Sequence, residues 1–124
     1  MISDLHEACE KLERDAGARK VLLCDPDGEV LAHAGQTGVL DEATGEAVAA
    51  LAGDLIAAGE AAPAETVVTL PRALTACAAP IGARAALVVI FDGTTSLERV
   101  RAKMRRAREV LQRLVESPQS TAQS

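Results

Sequence analysis

Apolar positions along this chain occur in two patterns, a helical spacing and short continuous runs, and each pattern predicts its own kind of element. In residues 2–16 and 97–116 apolar side chains recur every three or four positions, the spacing of an amphipathic helix. A further helix is predicted from an Asp41 cap to about Gly59. Runs rich in valine, leucine and alanine, bounded by turn residues, predict strands at 19–25, 29–34, 66–70, 73–79 and 84–92.

The order of these elements, α-β-β-α-β-β-β-α, predicts an α+β fold. We expect one five-stranded antiparallel sheet with two helices on one face and one helix on the other. The apolar run in 84–92 is unbroken, which is typical of a central strand covered on both faces. One domain is predicted for residues 1–116, and the polar segment 117–124 is predicted to be a disordered tail.

Turn chemistry accounts for two short polar segments of the chain. In Asp25-Pro26-Asp27-Gly28, proline presets the backbone for the second turn position and glycine accepts a positive φ, which predicts a tight hairpin. An EF-hand calcium loop would need glycine and glutamate where this chain has Val30 and Gln36. Before the last helix, Thr95 and Glu98 have the spacing of a capping box.

The side chains that could carry catalysis are few and scattered. Cys24, His33 and Cys77 could form a three-ligand metal site, but two buried cysteines and a half-exposed strand histidine are the simpler interpretation. His6 and Cys9 are one helical turn apart, with no further ligand evident nearby. The nucleotide-binding and nucleophile-elbow glycine motifs do not occur. We therefore predict a chain that is not an enzyme, with no catalytic residues, cofactor or metal.

Composition and charge narrow the classes of partner. The 124 residues carry a net charge of -5, and aromatic residues make up only 1% of them. An acidic balance argues against nucleic-acid binding, and Phe91 alone cannot form a base-stacking platform. No apolar run is long enough for membrane insertion, and the first 15 residues are too charged for a signal peptide. Three scattered cysteines suggest reduced thiols, so we expect a cytoplasmic protein.

The second predicted helix lacks the charge of an ordinary exposed face. On a helical wheel Val48, Leu51 and Leu55 cluster on the side that should face the sheet. The opposite side holds the small residues Ala49, Ala50, Gly53 and Ala57, with only Glu46, Asp54 and Glu60 for charge. Small residues let another helix approach closely, so we predict a subunit or partner interface there. The alternative is an alanine-rich helix that simply reflects an alanine-rich composition.

The last predicted helix is strongly basic. Residues 97–116 contain seven basic and three acidic side chains, a local net charge of +4 in a chain whose net charge is -5. An acidic partner or an anionic surface would explain this charge. A simpler explanation is that the helix lies beside the acidic first helix, on the same face of the sheet.

Three stretches of the chain match the pattern of a known family. They are DPDGEVLAHAGQT at 25–37, AVAALAGDLIAA at 47–58 and VVIFDGTTSLERVR at 88–101. With the element order, these stretches resemble the Roadblock (dynein light chain Roadblock) superfamily, and within it the bacterial MglB type. The resemblance covers roughly residues 3 to 116 and implies the Roadblock/profilin-like layer fold.

The resemblance also implies partners. It implies a homodimer whose sheets join edge to edge and whose second helices lie side by side, with Thr66, Val67, Val68 and Thr69 on the dimer edge strand. It implies a Ras-like small GTPase of the MglA type, whose own catalytic loops the dimer would rearrange to stimulate GTP hydrolysis, in control of cell polarity or motility. Two alternatives stay open: a scaffold that only binds paralogous Roadblock proteins, and a small-molecule sensor of the PAS or profilin-like kind.

Overall fold

The computed structural model describes residues 2–116 of the chain, so the predicted tail at 117–124 lies outside the described residues. The element order is the predicted one. The helices are α1 (Ile2–Ala16), α2 (Glu42–Ala58) and α3 (Leu97–Glu116), and the strands are β1 (Lys20–Cys24), β2 (Val30–Gly35), β3 (Thr66–Leu70), β4 (Leu74–Ile81) and β5 (Ala85–Phe91). A single 3₁₀ turn, Gly59–Ala61, follows α2.

The five strands form one antiparallel sheet in the order β2-β1-β5-β4-β3. The prediction of a central, doubly covered last strand is confirmed, because every residue of β5 is buried. The two strands at the edges of the sheet are β2 and β3, and each of them pairs with a neighbour on one side only.

The sheet separates two hydrophobic cores. On one face α1 and α3 pack together, and Leu12, Met104 and Leu111 are buried there against alternate residues of the central strands. On the other face α2 packs alone on β4 and β5 and buries Val48 and Leu55. This confirms the prediction of two helices on one face and one on the other. Within the described residues, no helix has the length and apolar character needed to cross a membrane.

The first hairpin confirms the predicted turn chemistry. The Asp25 carboxylate accepts hydrogen bonds from the backbone N–H groups of Asp27 and Glu29, both at 2.9 Å. Gly28 has a φ of 85°, in the region that glycine adopts most easily. The carboxylate of Asp25, a type of group that also binds calcium, is therefore used to hold the turn.

The predicted cap of α3 is displaced by one residue. The Oγ of Ser96, not that of Thr95, accepts the hydrogen bond from the backbone N–H of Arg99, at 3.1 Å. The Thr95 hydroxyl instead donates to the carbonyl oxygen of Ala16 at 2.8 Å. The predicted capping box was wrong because the threonine joins the end of α1 to the start of α3, a contact between residues far apart in the chain.

Candidate functional site

The helix α2 is fixed at its start and along its inner side. The Asp41 carboxylate caps it by accepting a hydrogen bond from the backbone N–H of Thr44 at 2.8 Å, and this bond lowers the pKa of Asp41. Val48 and Leu55 are buried against the sheet as predicted, whereas Leu51 is only half-buried. The inner side therefore determines which residues face outward.

The predicted residues on the other side of α2 do share an outward-facing surface. Five of them are exposed and Gly53 is half-buried; we call this set the α2 outer face, and it consists of Glu46, Ala49, Ala50, Gly53, Asp54 and Ala57. None of the 17 residues of α2 is a lysine or an arginine. The α2 outer face is therefore small, flat and weakly acidic, unlike the charged surface of a typical solvent-exposed helix.

No contact within the described chain explains why α2 contains two glycines. A Cβ atom added to Gly45 or Gly53 would meet nothing within 4 Å, and neither residue has a positive φ. Gly35 is different, because a Cβ there would collide with the carbonyl oxygen of Arg19. A glycine inside a helix costs about 1 kcal/mol relative to alanine. Close approach of another molecule would explain why α2 keeps both glycines.

The edge strand β3 borders the core that lies beneath α2. It contains the four predicted edge residues, Thr66, Val67, Val68 and Thr69, and its register places Val67 opposite Cys77 of β4. Val67 is 46% exposed, whereas Val68 packs against the core beneath α2. The other side of β3 bears no strand, so its outward N–H and C=O groups are available for pairing with another chain.

The opposite edge of the sheet is covered. His6 of α1 lies against β2, with its Nδ1 atom 3.1 Å from the carbonyl oxygen of His33 and 3.5 Å from the backbone nitrogen of His33. The two imidazole rings are nearly perpendicular, with their centroids 5.4 Å apart. The sequence offers no signal for this contact, since the residues are separated by 27 positions. Its effect is to occupy part of the β2 edge, whereas within residues 2–116 no side chain bonds to the outer edge of β3.

The turn between β3 and β4 ties the edge strand to the start of α2. Arg72 and Ala73 both have positive φ, 64° and 61°, a conformation that is uncommon for residues other than glycine. The Arg72 guanidinium donates to the carbonyl oxygens of Gly38 and Val39 and lies 3.5 Å from the Asp41 carboxylate. Sequence patterns did not single out Arg72, because neither a positive φ nor this loop contact leaves a periodic trace.

At the other end of β3, a nearly buried carboxylate holds the strand against α3. The side chain of Glu65 is 9% exposed, and its two oxygens lie 2.6 Å from Nε of Arg101 and 3.3 Å from Nε of Arg105. The edge strand is thus fixed at both ends by arginines. A rigid edge loses little conformational freedom when another chain pairs with it.

The three cysteines are buried within the two cores of the structure. Cys24 and Cys77 belong to the cores on opposite faces of the sheet, and burial raises the pKa of each thiol to about 11. Burial also raises the pKa of Cys9 to about 12, so all three thiols are protonated near neutral pH. Among residues 2–116, no group of three or more histidine, cysteine, aspartate or glutamate side chains is arranged to hold a metal ion.

Comparison with solved structures places the chain in a family. MglB of Myxococcus xanthus is 30% identical, with a TM-score of 0.78, and the match covers 94% of this chain and 90% of that one. The gliding protein MglB from Thermus thermophilus is also 30% identical, with a TM-score of 0.76 and coverage of 93% and 90%.

More distant matches share the fold. A Roadblock/LC7 domain from Streptomyces avermitilis, only 18% identical, has a TM-score of 0.69, with 90% of this chain and 98% of that one covered. No family model matches the chain, and no curated protein does either. The identity to MglB extends over almost the whole chain, and the five-stranded layer fold is the same. The chain therefore belongs to the Roadblock superfamily, and within it to the MglB type.

Proposed function

We propose that this chain is a non-enzymatic, dimeric regulatory module that binds an MglA-type Ras-like small GTPase and stimulates its GTP hydrolysis, in control of cell polarity or motility. The observation that carries the proposal is the α2 outer face, which is mostly exposed, consists mainly of small residues and carries two carboxylates but no cation. On the same side of the sheet, Val68 of the edge strand β3 packs against the core beneath α2.

Self-association would use the β3 edge. Pairing of β3 with β3 of a second copy would extend the sheet and satisfy the outward backbone groups of both strands. A twofold axis between the two strands would bring the two α2 helices to the same side of the extended sheet. The unexplained glycines Gly45 and Gly53 support a close approach on that side.

The proposed effect on the GTPase is positional. Because α2 has no lysine or arginine, it has no cation to place on the transferring phosphate as an arginine finger would. A flat, rigid surface can still raise the hydrolysis rate by holding the GTPase's own catalytic loops in their productive arrangement. The buried, protonated thiols of this chain are not needed for that role.

The test is to mix the purified chain with an MglA-type GTPase from the same genome, and to measure binding and phosphate release. Ala57→Arg places a long cation on the α2 outer face, whereas Ala102→Arg makes the same change at an exposed alanine of α3 on the other side of the sheet. We expect Ala57→Arg to weaken binding at least ~10-fold and Ala102→Arg to change it less than ~2-fold.

Three results would separate the possible functions. Binding with faster hydrolysis supports the proposal. Binding to a paralogous Roadblock protein, with no effect on the GTPase, would indicate the scaffold alternative. No binding to the GTPase in its GTP-bound, GDP-bound or nucleotide-free state would overturn the proposal. Sedimentation of each variant shows whether Ala57→Arg acts on the dimer or on the GTPase contact.

A further inference from the structure

A groove runs between α1 and α3, on the face of the sheet that is opposite α2. Its volume is about 290 Å³, and Ala8, Leu12, Ala107 and Val110 form its apolar lining. Val110 is 42% exposed, unusual for a large hydrophobic side chain of this structure, most of which are buried. The groove thus leaves apolar surface in contact with water, between two helices that are otherwise well packed.

The charged residues that line the groove are mostly basic. Lys11 and Asp15 form an ion pair at 2.7 Å, so their charges offset each other. Lys103 and Arg106 of α3 also line the groove, and within residues 2–116 neither of them forms an ion pair. The apolar lining is therefore bordered by two cations that form no ion pair within residues 2–116. The pKa of Asp15 is lowered mainly by its hydrogen bond with Lys11 and to a smaller extent by the nearby charge of Lys103.

Four other arginines of α3 have structural roles, unlike Lys103 and Arg106. Arg101 and Arg105 bind Glu65, as described above. Arg99 donates to the carbonyl oxygen of Asp15 at 2.9 Å, and Arg108 donates to that of Pro80 at 3.2 Å. The helices α1 and α3 do lie side by side as the sequence predicted, yet the described residues show no ion pair between their side chains. Packing against the acidic helix α1 therefore leaves Arg106 unexplained and accounts for Lys103 only through the nearby charge of Asp15.

We propose that the α1–α3 groove docks an acidic amphipathic helix of a partner protein. Apolar residues on one stripe of that helix would enter the groove beside Val110, and flanking carboxylates would pair with Lys103 and Arg106. An anionic membrane fits less well, because it would cover more than the groove and would also meet the exposed Glu7 and Glu10 of α1, which do not line the groove. The groove lies on the opposite face from α2, so this inference does not depend on the proposed GTPase function.

The probe is a fluorescent helix-forming peptide with leucines at i, i+3, i+4 and i+7, flanked by glutamates. Two controls have the same length: one replaces the glutamates by lysines, and the other scrambles the order so that no apolar stripe forms. Fluorescence anisotropy with the full chain should show binding of the acidic peptide that weakens as salt is added. We expect both controls to bind at least ~10-fold more weakly.

Variants of the chain locate the site. Arg106→Glu should weaken peptide binding at least ~5-fold, since it replaces one attraction by a repulsion. Arg113→Glu makes the same charge change on the same helix but outside the groove lining, and should have an effect below ~2-fold. Val110→Ser should weaken binding without changing its dependence on salt, because it removes apolar contact only.

Specific results of these binding measurements would overturn the proposal. The proposal is overturned if the acidic peptide does not bind, or if it binds no better than the scrambled one. Equal losses at Arg106 and Arg113 would show attraction to net charge rather than docking in the groove, and would also overturn it. If sedimentation instead shows association of the chain with itself that Arg106→Glu abolishes, the occupant is a second copy and not a separate partner.

Discussion

Replacing Val67 by lysine should weaken self-association of this chain, whereas the same replacement of Val30 should not. The two valines are matched, because both lie on edge strands and they are 46% and 47% exposed. What differs is the outer side of each strand. On β2, Nδ1 of the His6 imidazole lies within hydrogen-bond distance of the backbone of His33. On β3, within residues 2–116, no side chain bonds to the outer edge.

The expected size of the effect follows from exposure and symmetry. Complete burial of a valine side chain contributes about 1.5–3 kcal/mol, so burial of the exposed half of Val67 would contribute about 1 kcal/mol. A symmetric dimer contains the contact twice, which makes about 2 kcal/mol, or roughly a 30-fold change in the dissociation constant. A lysine on the edge strand adds to this loss, because charged side chains oppose edge-to-edge pairing.

Sedimentation velocity over a range of protein concentrations measures the dissociation constant of each variant and of the unchanged chain. Thermal melting followed by circular dichroism serves as the control, and both variants should unfold at nearly the temperature of the unchanged monomer. Equal weakening by Val67→Lys and Val30→Lys, or no weakening by either, would refute the assignment of β3 as the dimer edge. Weakening by Val30→Lys alone would move the interface to β2.

Three further predictions concern stability. Glu65→Gln should lower the free energy of unfolding, measured in urea, by about 2 kcal/mol, because the nearly buried carboxylate of Glu65 binds two arginines. The same substitution at the exposed Glu60 serves as a control and should change this free energy by less than about 0.5 kcal/mol. Hydrogen bonds from Thr94, together with one from the side chain of Arg19, lower the pKa of Asp92 from 3.8 to about 2. This stabilisation is present above pH 3.8 and is lost as the pH falls toward 2, so Asp92→Asn should flatten the plot of melting temperature against pH in that range. Ala73→Gly should raise the melting temperature by relieving a φ of 61° that costs roughly 1 kcal/mol, and a lower melting temperature would contradict this reasoning.

Helical spacing predicted α1 and α3, the Asp41 cap predicted the start of α2, and apolar runs between turn residues predicted the five strands. These patterns are informative because they report which side chains are buried. Element ends were less accurate: the strand predicted at 73–79 is Leu74–Ile81, and the one predicted at 84–92 is Ala85–Phe91. The ends depend on individual hydrogen bonds, as the cap of α3 shows. Thr95 has the right spacing for a cap, but its hydroxyl is bound to the end of α1, so Ser96 takes that role.

The candidate site, too, could be predicted from the sequence only in part. The exposed set on α2 could be predicted, since the inner side of a helix fixes its outer side, and Val48 and Leu55 mark the inner side clearly. The difference between the two sheet edges could not, because it depends on His6 reaching His33 across 27 residues. The anchoring of the β3–β4 turn by Arg72 was equally hidden, since it is made by a backbone conformation and by contacts with loop carbonyl groups.

The sheet keeps the two proposed surfaces apart, and this separation has a consequence for regulation. Ala57 of α2 and Arg106 of α3 lie on opposite faces, with the buried strands β4 and β5 between them. Substitutions that share no contact usually have additive effects on free energy. A partner in the α1–α3 groove could therefore bind while the α2 outer face is occupied, which would let the chain join two proteins without competition. Any change in affinity on one face caused by binding on the other would have to pass through the sheet, in which strand β4 packs against both α2 and α3.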